Sequence, residues 1–271
     1  MIMINIAIKA AVDAGEAILE IYAQDFEVEF KMDESPLTSA DKAAHNIIVQ
    51  ALETTPYPVL SEESGEITYE ERKGWTTYWL VDPLDGTKEF VKKNGEFTVN
   101  IALIEDGVPV LGVVYVPVEQ TLYVGVAHGE WGMEQGAWRA EGCSGKSVNE
   151  ILGSAVSLPL SPDRRPRPSG LRVVASKSHC NEETREFIAD LEKTYGTSEL
   201  ISRGSSLKLC MVAEGSADIY PRIAPTMEWD TAAAHAVVVA AGGTVMVYGT
   251  TNALTYNKEN LLNPYFVVSG I

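Results

Sequence analysis

The stretch WLVDPLDGTKEF, residues 79–90, places two carboxylates, Asp82 and Asp85, three residues apart at the end of an apolar run. Left alone, such a pair repels itself and one of the two pKa values rises. Pro83 fixes φ and Gly86 permits a tight turn, so Asp82, the Leu84 carbonyl and Asp85 can be aimed at one point. Two carboxylates and a carbonyl form a hard oxygen donor set, suited to a divalent cation and to Mg²⁺ above all. Thr87 then opens a predicted helix whose unpaired N–H groups, just past Gly86, suit a phosphate oxygen. The competing reading makes Asp82 an ordinary turn residue and Asp85 a helix N-cap.

Further acids stand elsewhere in the chain. LSEES ends a short predicted strand with Glu62 and Glu63. TMEWDTAAAHA sets Asp230 directly before an Ala-rich helix, where an N-cap role is the plain alternative and still leaves a lone pair for a metal. The D-x-x-D spacing of Asp82 and Asp85 does not fit aspartyl-phosphate chemistry, which needs D-x-D, so no phosphoenzyme is expected. No GxSxG elbow is present either. GSSLK, residues 204–208, opens a predicted helix with Ser205, Ser206 and Lys208 in its first turn, a suitable seat for an anion. Arg222, at the end of the IYPR strand, can grip the same anion bidentately. For both cations the alternative is solvated surface charge. His179 is a candidate to stack on or hydrogen-bond a base, against the plain reading of a cap or surface residue. Lys31 and Lys88 are candidates for added positive potential.

These residues need elements to hold them. Apolar periodicity predicts a helix from about Ile4 to Tyr22, with Ile8, Ala11, Val12, Ala14, Ile18 and Leu19 inward. EVEFK, residues 27–31, alternates as a strand. A second helix follows an N-cap near Thr38 or Ser39. The run 97–117 is a hairpin turning at Glu105-Asp106-Gly107. A Pro-, Ser- and Arg-rich connector, residues 157–170, separates this mostly antiparallel half from an alternating β/α half. The expected division is 1–156, carrying most of the acids, and 157–271, carrying Asp230 and the candidate anion seat, in one continuous unit. A meander half and a β/α half imply layers of helices and sheets with a ligand crevice between the halves. Trp75, Trp79, Trp131, Trp138 and Trp229 read as mainly core.

Composition narrows the function classes. The 271 residues are 45% hydrophobic and carry a formal net charge of −17, which argues against a nucleic-acid polymer as partner. A small anionic substrate then needs metal cations or a local Lys/Arg cluster. Cys143, Cys180 and Cys210 make no CxxC pair and suit a reducing cytoplasm. No apolar run approaches a membrane span, and the N-terminus reads as an amphipathic helix and not as a signal peptide.

The set SEES, WLVDPLDGT and WDTAAAH, in that order, resembles the lithium-sensitive, Mg²⁺-dependent phosphatase superfamily of inositol monophosphatase. DPLDGTKEF, NGEFTVNIAL, GVVYVP, GSSLK and IYPR resemble more narrowly its bacterial 3′(2′),5′-bisphosphate nucleotidases. The resemblance runs from SPLTSAD to NPYFVVSG. It implies an α/β/α/β/α layered sandwich and an enzyme that hydrolyses adenosine 3′,5′-bisphosphate to AMP and phosphate in sulfur assimilation, with turnover of its sulfated analogue left open. It implies that Glu62, Asp82 and the Leu84 carbonyl hold one Mg²⁺, that Asp82, Asp85 and Asp230 hold a second, and that a third, weaker ion is an open alternative. Asp41 would pair with Thr87, and Glu62 with this pair would accept or relay the proton of the attacking water. Glu62, Leu84, Asp85, Gly86, Thr87, His179, Ser205, Ser206, Lys208, Arg222 and Asp230 would line the substrate site. Members are monomers or homodimers, and some bacterial ones touch the inner membrane peripherally. Arg164, Arg165 and Arg167 in the connector are therefore either a solvated loop or a contact to an anionic membrane surface. Inositol 1-phosphatase or fructose 1,6-bisphosphatase activity at the same metal site is the near alternative. A catalytically silent Mg²⁺- or nucleotide-binding protein is the distant one, and the complete set Glu62, Asp82, Asp85 and Asp230 speaks against it.

Overall fold

The apolar stripe read at the N-terminus becomes α1 (Met3–Tyr22), which buries Ile4, Ile8, Ala11, Ala14 and Ile18 in a computed structural model of the chain. The structure describes residues 3–23, 29–30, 36–37, 39–128, 134–160, 170–175 and 181–270. Lys31, Thr38, Trp131, Arg164, Arg165, Arg167, His179 and Cys180 lie outside the described residues. Helix α1 packs against α2 (Ser39–Leu52), whose Ala40, Ala44, Ile48 and Leu52 repeat every four residues on one face. Two short strands, β1 (Glu29–Phe30) and β2 (Pro36–Leu37), pair antiparallel between them in sequence. The strand expected over residues 27–31 is described only as this two-residue pairing.

The next elements are β3 (Val59–Ser61), α3 (Tyr69–Arg72), β4 (Thr77–Asp85), α4 (Thr87–Val91), β5 (Thr98–Glu105), β6 (Val108–Val116), β7 (Thr121–Val126), β8 (Gly136–Ala140), α5 (Val148–Ser154) and β9 (Val156–Ser157). Strands β3 to β9 form a seven-stranded sheet in chain order, antiparallel except for the parallel pair β3–β4. The β5–β6 turn falls where the sequence places it. Asp106 (φ 48°) and Gly107 (φ 75°) take the two left-handed positions that a twisted two-residue hairpin requires.

The second half contains β10 (Leu171–Val174), α6 (Glu182–Tyr195), β11 (Ser198–Ile201), α7 (Leu207–Glu214), β12 (Ile219–Arg222), α8 (Ala232–Ala240), β13 (Thr244–Val247) and β14 (Phe266–Ser269). Its five-stranded sheet has the order β11-β10-β12-β14-β13. Helices α1 and α2 cover the outer face of the large sheet, α7 and α8 fill the space between the sheets, and α6 covers the small sheet. This is the expected α/β/α/β/α layering. Helix α8 comes very close to the large sheet. A Cβ on Gly112 would stand 2.0 Å from the Ala233 carbonyl oxygen, and one on Gly125 would stand 2.5 Å from the Val237 Cα. The Ala-rich face of α8 and the two glycines thus replace side-chain packing with near backbone contact. Among the described residues, no helix is long and apolar enough to cross a membrane.

Candidate active site

Strand register brings the first two acids together. Val59, Leu60 and Ser61 pair in parallel with Trp79, Leu80 and Val81, and the Glu62 amide donates to the Val81 carbonyl at 3.1 Å. The next step of the ladder sets Glu62 beside Asp82. Glu62 is exposed at the rim of the cleft, while Asp82 is buried. Asp82 lies opposite Asn100 on β5, Asp85 lies opposite Thr98, and the register shifts between the two aspartates. Pro83 has no N–H for the ladder, so a local irregularity is expected there. The Leu84 amide donates to Asp82 Oδ1 at 3.1 Å.

Two local readings need correction. The helix after Gly86 has only five residues, Thr87–Val91, so it lacks the length to act as a strong dipole. Asp230 is not the N-cap of α8. Thr231 holds that position, and Asp230 Oδ2 instead accepts the Met227 amide at 2.9 Å. That bond stays within one short turn and commits a single carboxylate oxygen.

The acids feel one another. Loss of hydration pushes Asp82 well above the usual carboxylate range, and the charges of Glu62, Asp85, Asp230 and Asp41 add to the rise. Glu62 is open to water on one side and hemmed in by protein on the other. Desolvation, then the charges of Asp41, Asp85 and Glu63, push it up to about 7 against a hydrogen bond shared with Asp82. Desolvation and Asp85 push Asp230 up to about 8. Asp41 is buried on α2 within electrostatic reach of Glu62 and Asp82, and Thr87 opens α4 half-buried. Among the described residues, no three His, Cys, Asp or Glu side chains close into a ready-formed metal cage. The donors gathered here are nevertheless all oxygen, negative and mutually repelling, which fits a hard divalent cation and little else.

Beside the acids is an open pocket of about 230 Å³, lined by Lys88, Lys92, Arg203, Lys208 and Arg222 together with Asp85, Glu89, Glu96 and Asp230. In a chain of net charge −17 this is a local reversal of the field. The GSSLK turn is built differently from a free anion seat. The Ser206 amide donates to Asp85 Oδ2 at 2.6 Å, and the Ser206 hydroxyl donates to Asn100 Oδ1 at 2.9 Å and lies 2.9 Å from the Thr98 hydroxyl. The anion at this helix start is therefore the chain's own Asp85. Lys208 is buried and donates to the Ser205 carbonyl at 2.6 Å. Desolvation lowers its pKa to about 8 against the pull of Asp85. Ser205 holds a left-handed φ of 42°, and its buried hydroxyl has no partner among the described residues. Arg222 donates through Nη2 to the Pro225 carbonyl at 2.7 Å, and its Nε is buried without a partner among the described residues.

A sequence model of the inositol monophosphatase family matches residues 2–265. The chain belongs to the inositol monophosphatase family. Within this family of metal-dependent phosphatases, it is 45% identical over 271 residues to the 3′(2′),5′-bisphosphate nucleotidase CysQ of Salmonella typhimurium, covering 98% of this chain and 99% of that one. The crystal structure of CysQ from Bacteroides thetaiotaomicron superposes with a TM-score of 0.85 at 51% identity, covering 97% of this chain and 95% of that one. An inositol monophosphatase from Anabaena superposes with a TM-score of 0.69 at 24% identity, covering 98% and 89%, and shares the fold.

Sequence reasoning missed Asn100 and Thr98. Both are fully buried polar residues in an otherwise apolar strand, FTVNIALI, and that break in pattern was the available signal. Glu96 and Arg203 were missed because nothing local marks them. Glu96 accepts the Gly204 amide at 2.9 Å, and Arg203 bridges to Glu119 at 3.2 Å.

Proposed function

We propose that this chain is a Mg²⁺-dependent 3′(2′),5′-bisphosphate nucleotidase that hydrolyses adenosine 3′,5′-bisphosphate to AMP and phosphate, and also takes its sulfated analogue. The observation that carries this reading is a ring of crowded acids, Glu62, Asp82, Asp85 and Asp230, opening directly onto a pocket lined by Lys88, Lys208 and Arg222. A nucleotide with two phosphates uses both features. Residues 1–156 then supply Glu62, Asp82 and Asp85, and residues 157–271 supply Asp230 and most of the nucleotide pocket, as one unit. Buried free thiols at Cys143 and Cys210 accord with work in the reducing cytoplasm.

Glu62, Asp82, the Leu84 carbonyl, Asp85 and Asp230 would hold the divalent ions, with Asp82 shared. When bound, such ions activate water and stabilise a departing oxyanion. The chain's own residues do the rest. Glu62, backed by Asp41 and Thr87, takes the proton of the attacking water. Gly86 makes the tight turn between Asp85 and Thr87, with a left-handed φ of 95° and the Glu96 carbonyl oxygen 3.2 Å from where a Cβ would stand. Lys208 holds the Ser205 turn from behind, and Arg222 faces the second phosphate.

Inositol 1-phosphate and fructose 1,6-bisphosphate are not favoured, because the high-identity relatives carry the nucleotidase name and the inositol monophosphatase structure is only 24% identical. Phosphate release measured in parallel on the three substrates tests this. Equal or faster turnover of inositol 1-phosphate would overturn it. Arg222→Ala should raise the nucleotide KM by about 10–100-fold with little change in kcat, the value of a charged hydrogen bond lost in binding.

Acidity provides a second check. Glu62 and Asp230 have folded-state pKa values raised to about 7 and about 8. Their contribution to stability is therefore intact below the unfolded carboxylate pKa and is lost as pH rises through the folded values. Mg²⁺ must displace those protons and, once bound, remove the repulsion. The Mg²⁺-induced rise in Tm should be larger at pH 8.5 than at pH 5.5, and the half-saturating Mg²⁺ concentration lower. An equal rise at both pH values would contradict the assignment of these two acids.

A further inference from the structure

Asp230 sits in a turn, residues 226–231, that the C-terminal chain grips from outside the cleft. Glu228, two residues before it, is fully buried. Its Oε1 accepts the Lys258 ammonium at 2.6 Å and the Lys258 amide at 3.0 Å, and its Oε2 accepts the Asn257 amide at 2.7 Å. Asn257 takes a left-handed φ of 64°, which its own side chain secures by donating to the Arg72 carbonyl at 2.9 Å. Arg72, buried at the end of α3, donates to Asn257 Oδ1 at 2.9 Å and to the carbonyls of Lys258 at 2.7 Å and Glu259 at 2.9 Å.

The turn's backbone is held as well. The Glu228 amide donates to the Leu261 carbonyl at 2.9 Å, and Asn263 Nδ2 donates to the Met227 carbonyl at 2.8 Å and the Thr231 hydroxyl at 3.0 Å. Met227 is the residue whose amide binds Asp230. A buried ion pair such as Glu228–Lys258 is weak evidence for net stability, since well-packed apolar residues often do as well. The placement of these polar groups around one acid calls for a positional explanation.

We propose that Arg72, Asn257, Lys258 and Glu228 form a polar clasp that fixes Asp230, and that Glu228 is the positioning residue through which it acts. This rests on the reading of Asp230 as a metal ligand. The clasp joins α3, from the first half of the chain, to the turn that supplies the only one of these acids from the second half. A shift of one half against the other would be felt first at Asp230.

The test compares Glu228→Gln with Asp230→Asn in the full chain. The half-saturating Mg²⁺ concentration is read twice, from phosphate release and from the Mg²⁺-dependent rise in Tm. Residues behind a metal ligand typically matter by 10–100-fold, so Glu228→Gln should raise both midpoints by about that factor. The nucleotide KM at saturating Mg²⁺ should stay at the wild-type value. A lower metal-free Tm with unchanged Mg²⁺ midpoints would reduce Glu228 to a structural residue and overturn the clasp. Unchanged midpoints in Asp230→Asn would overturn the ligand reading itself. If Glu228→Gln fails to fold, Lys258→Gln carries the same comparison, since Lys258 is partly exposed and its loss leaves the backbone bonds of Glu228 in place.

Discussion

Asp82→Asn should abolish turnover and at the same time make the metal-free protein harder to melt. Asp82 is buried, faces three other acids of the ring and Asp41, and has its carboxyl driven well upward by lost hydration and by their charge. Asparagine keeps the shape and can still accept the Leu84 amide, but it brings no charge. At pH 8.5, where repulsion in the ring is greatest, each kcal/mol recovered appears as about 2–4 °C in a chain of this size. The loss on the other side is larger. On the function proposed above, Asp82 is shared between two ions and supports both water activation and leaving-oxygen stabilisation, so kcat should fall by at least ~10³-fold, about 4 kcal/mol of barrier. The Mg²⁺-induced rise in Tm should shrink with it. Retained turnover, or a metal-free Tm that falls, would remove Asp82 from the centre of the site. Opposite signs for stability and activity are the mark of a functional site whose geometry is unfavourable until its ligand arrives.

Gly112→Ala should be strongly destabilising for a change of one methyl. The added Cβ would lie 2.0 Å from the Ala233 carbonyl oxygen and 2.8 Å from its carbon, both backbone atoms in the first turn of α8. No rotamer change relieves such a contact, so α8 must move off the sheet. Overpacking of this kind costs about 3 kcal/mol or more, or roughly 6–12 °C in Tm. Because α8 begins just after Asp230, the displacement should also weaken the Mg²⁺ response of the fraction that folds. Thermal melts with and without Mg²⁺ read both effects. A Tm within about 2 °C of wild type would show that the helix yields without cost.

The features legible in the sequence were those written in local pattern. The stripe of α1, the Asp106-Gly107 turn, the paired aspartates around Pro83 and the β/α alternation after residue 170 each follow from a few neighbouring residues. The layer order came from the family resemblance and from the two contrasting halves. Features set by distant contacts were not legible. Lys208 reads as a free cation, yet it is buried because the turn it supports folds back over its own ammonium. Asp230 reads as a helix cap, but the 255–263 segment reshapes the turn before α8. The stop of helix α4 after Val91 is set by the chain just beyond it, where Lys93 and Gly95 adopt positive φ. Arg72 and Glu228 have no local signal at all, since their partners lie more than a hundred residues away or in a separate turn.

The parallel pairing of β3 with β4 has a consequence for how such a catalyst diversifies. Glu62 and Asp82 stand opposite one another on neighbouring strands, one step past the Ser61–Val81 pair, so the gap between them follows the interstrand spacing of about 4.8 Å and not any side-chain choice. The wall of Lys88, Lys92, Arg203 and Arg222, by contrast, is made of side chains on the short helix α4 and its end, on a turn and at a strand end. Lineages can therefore rewrite which molecule is admitted, residue by residue, while the spacing that governs bond cleavage is inherited unchanged with the backbone.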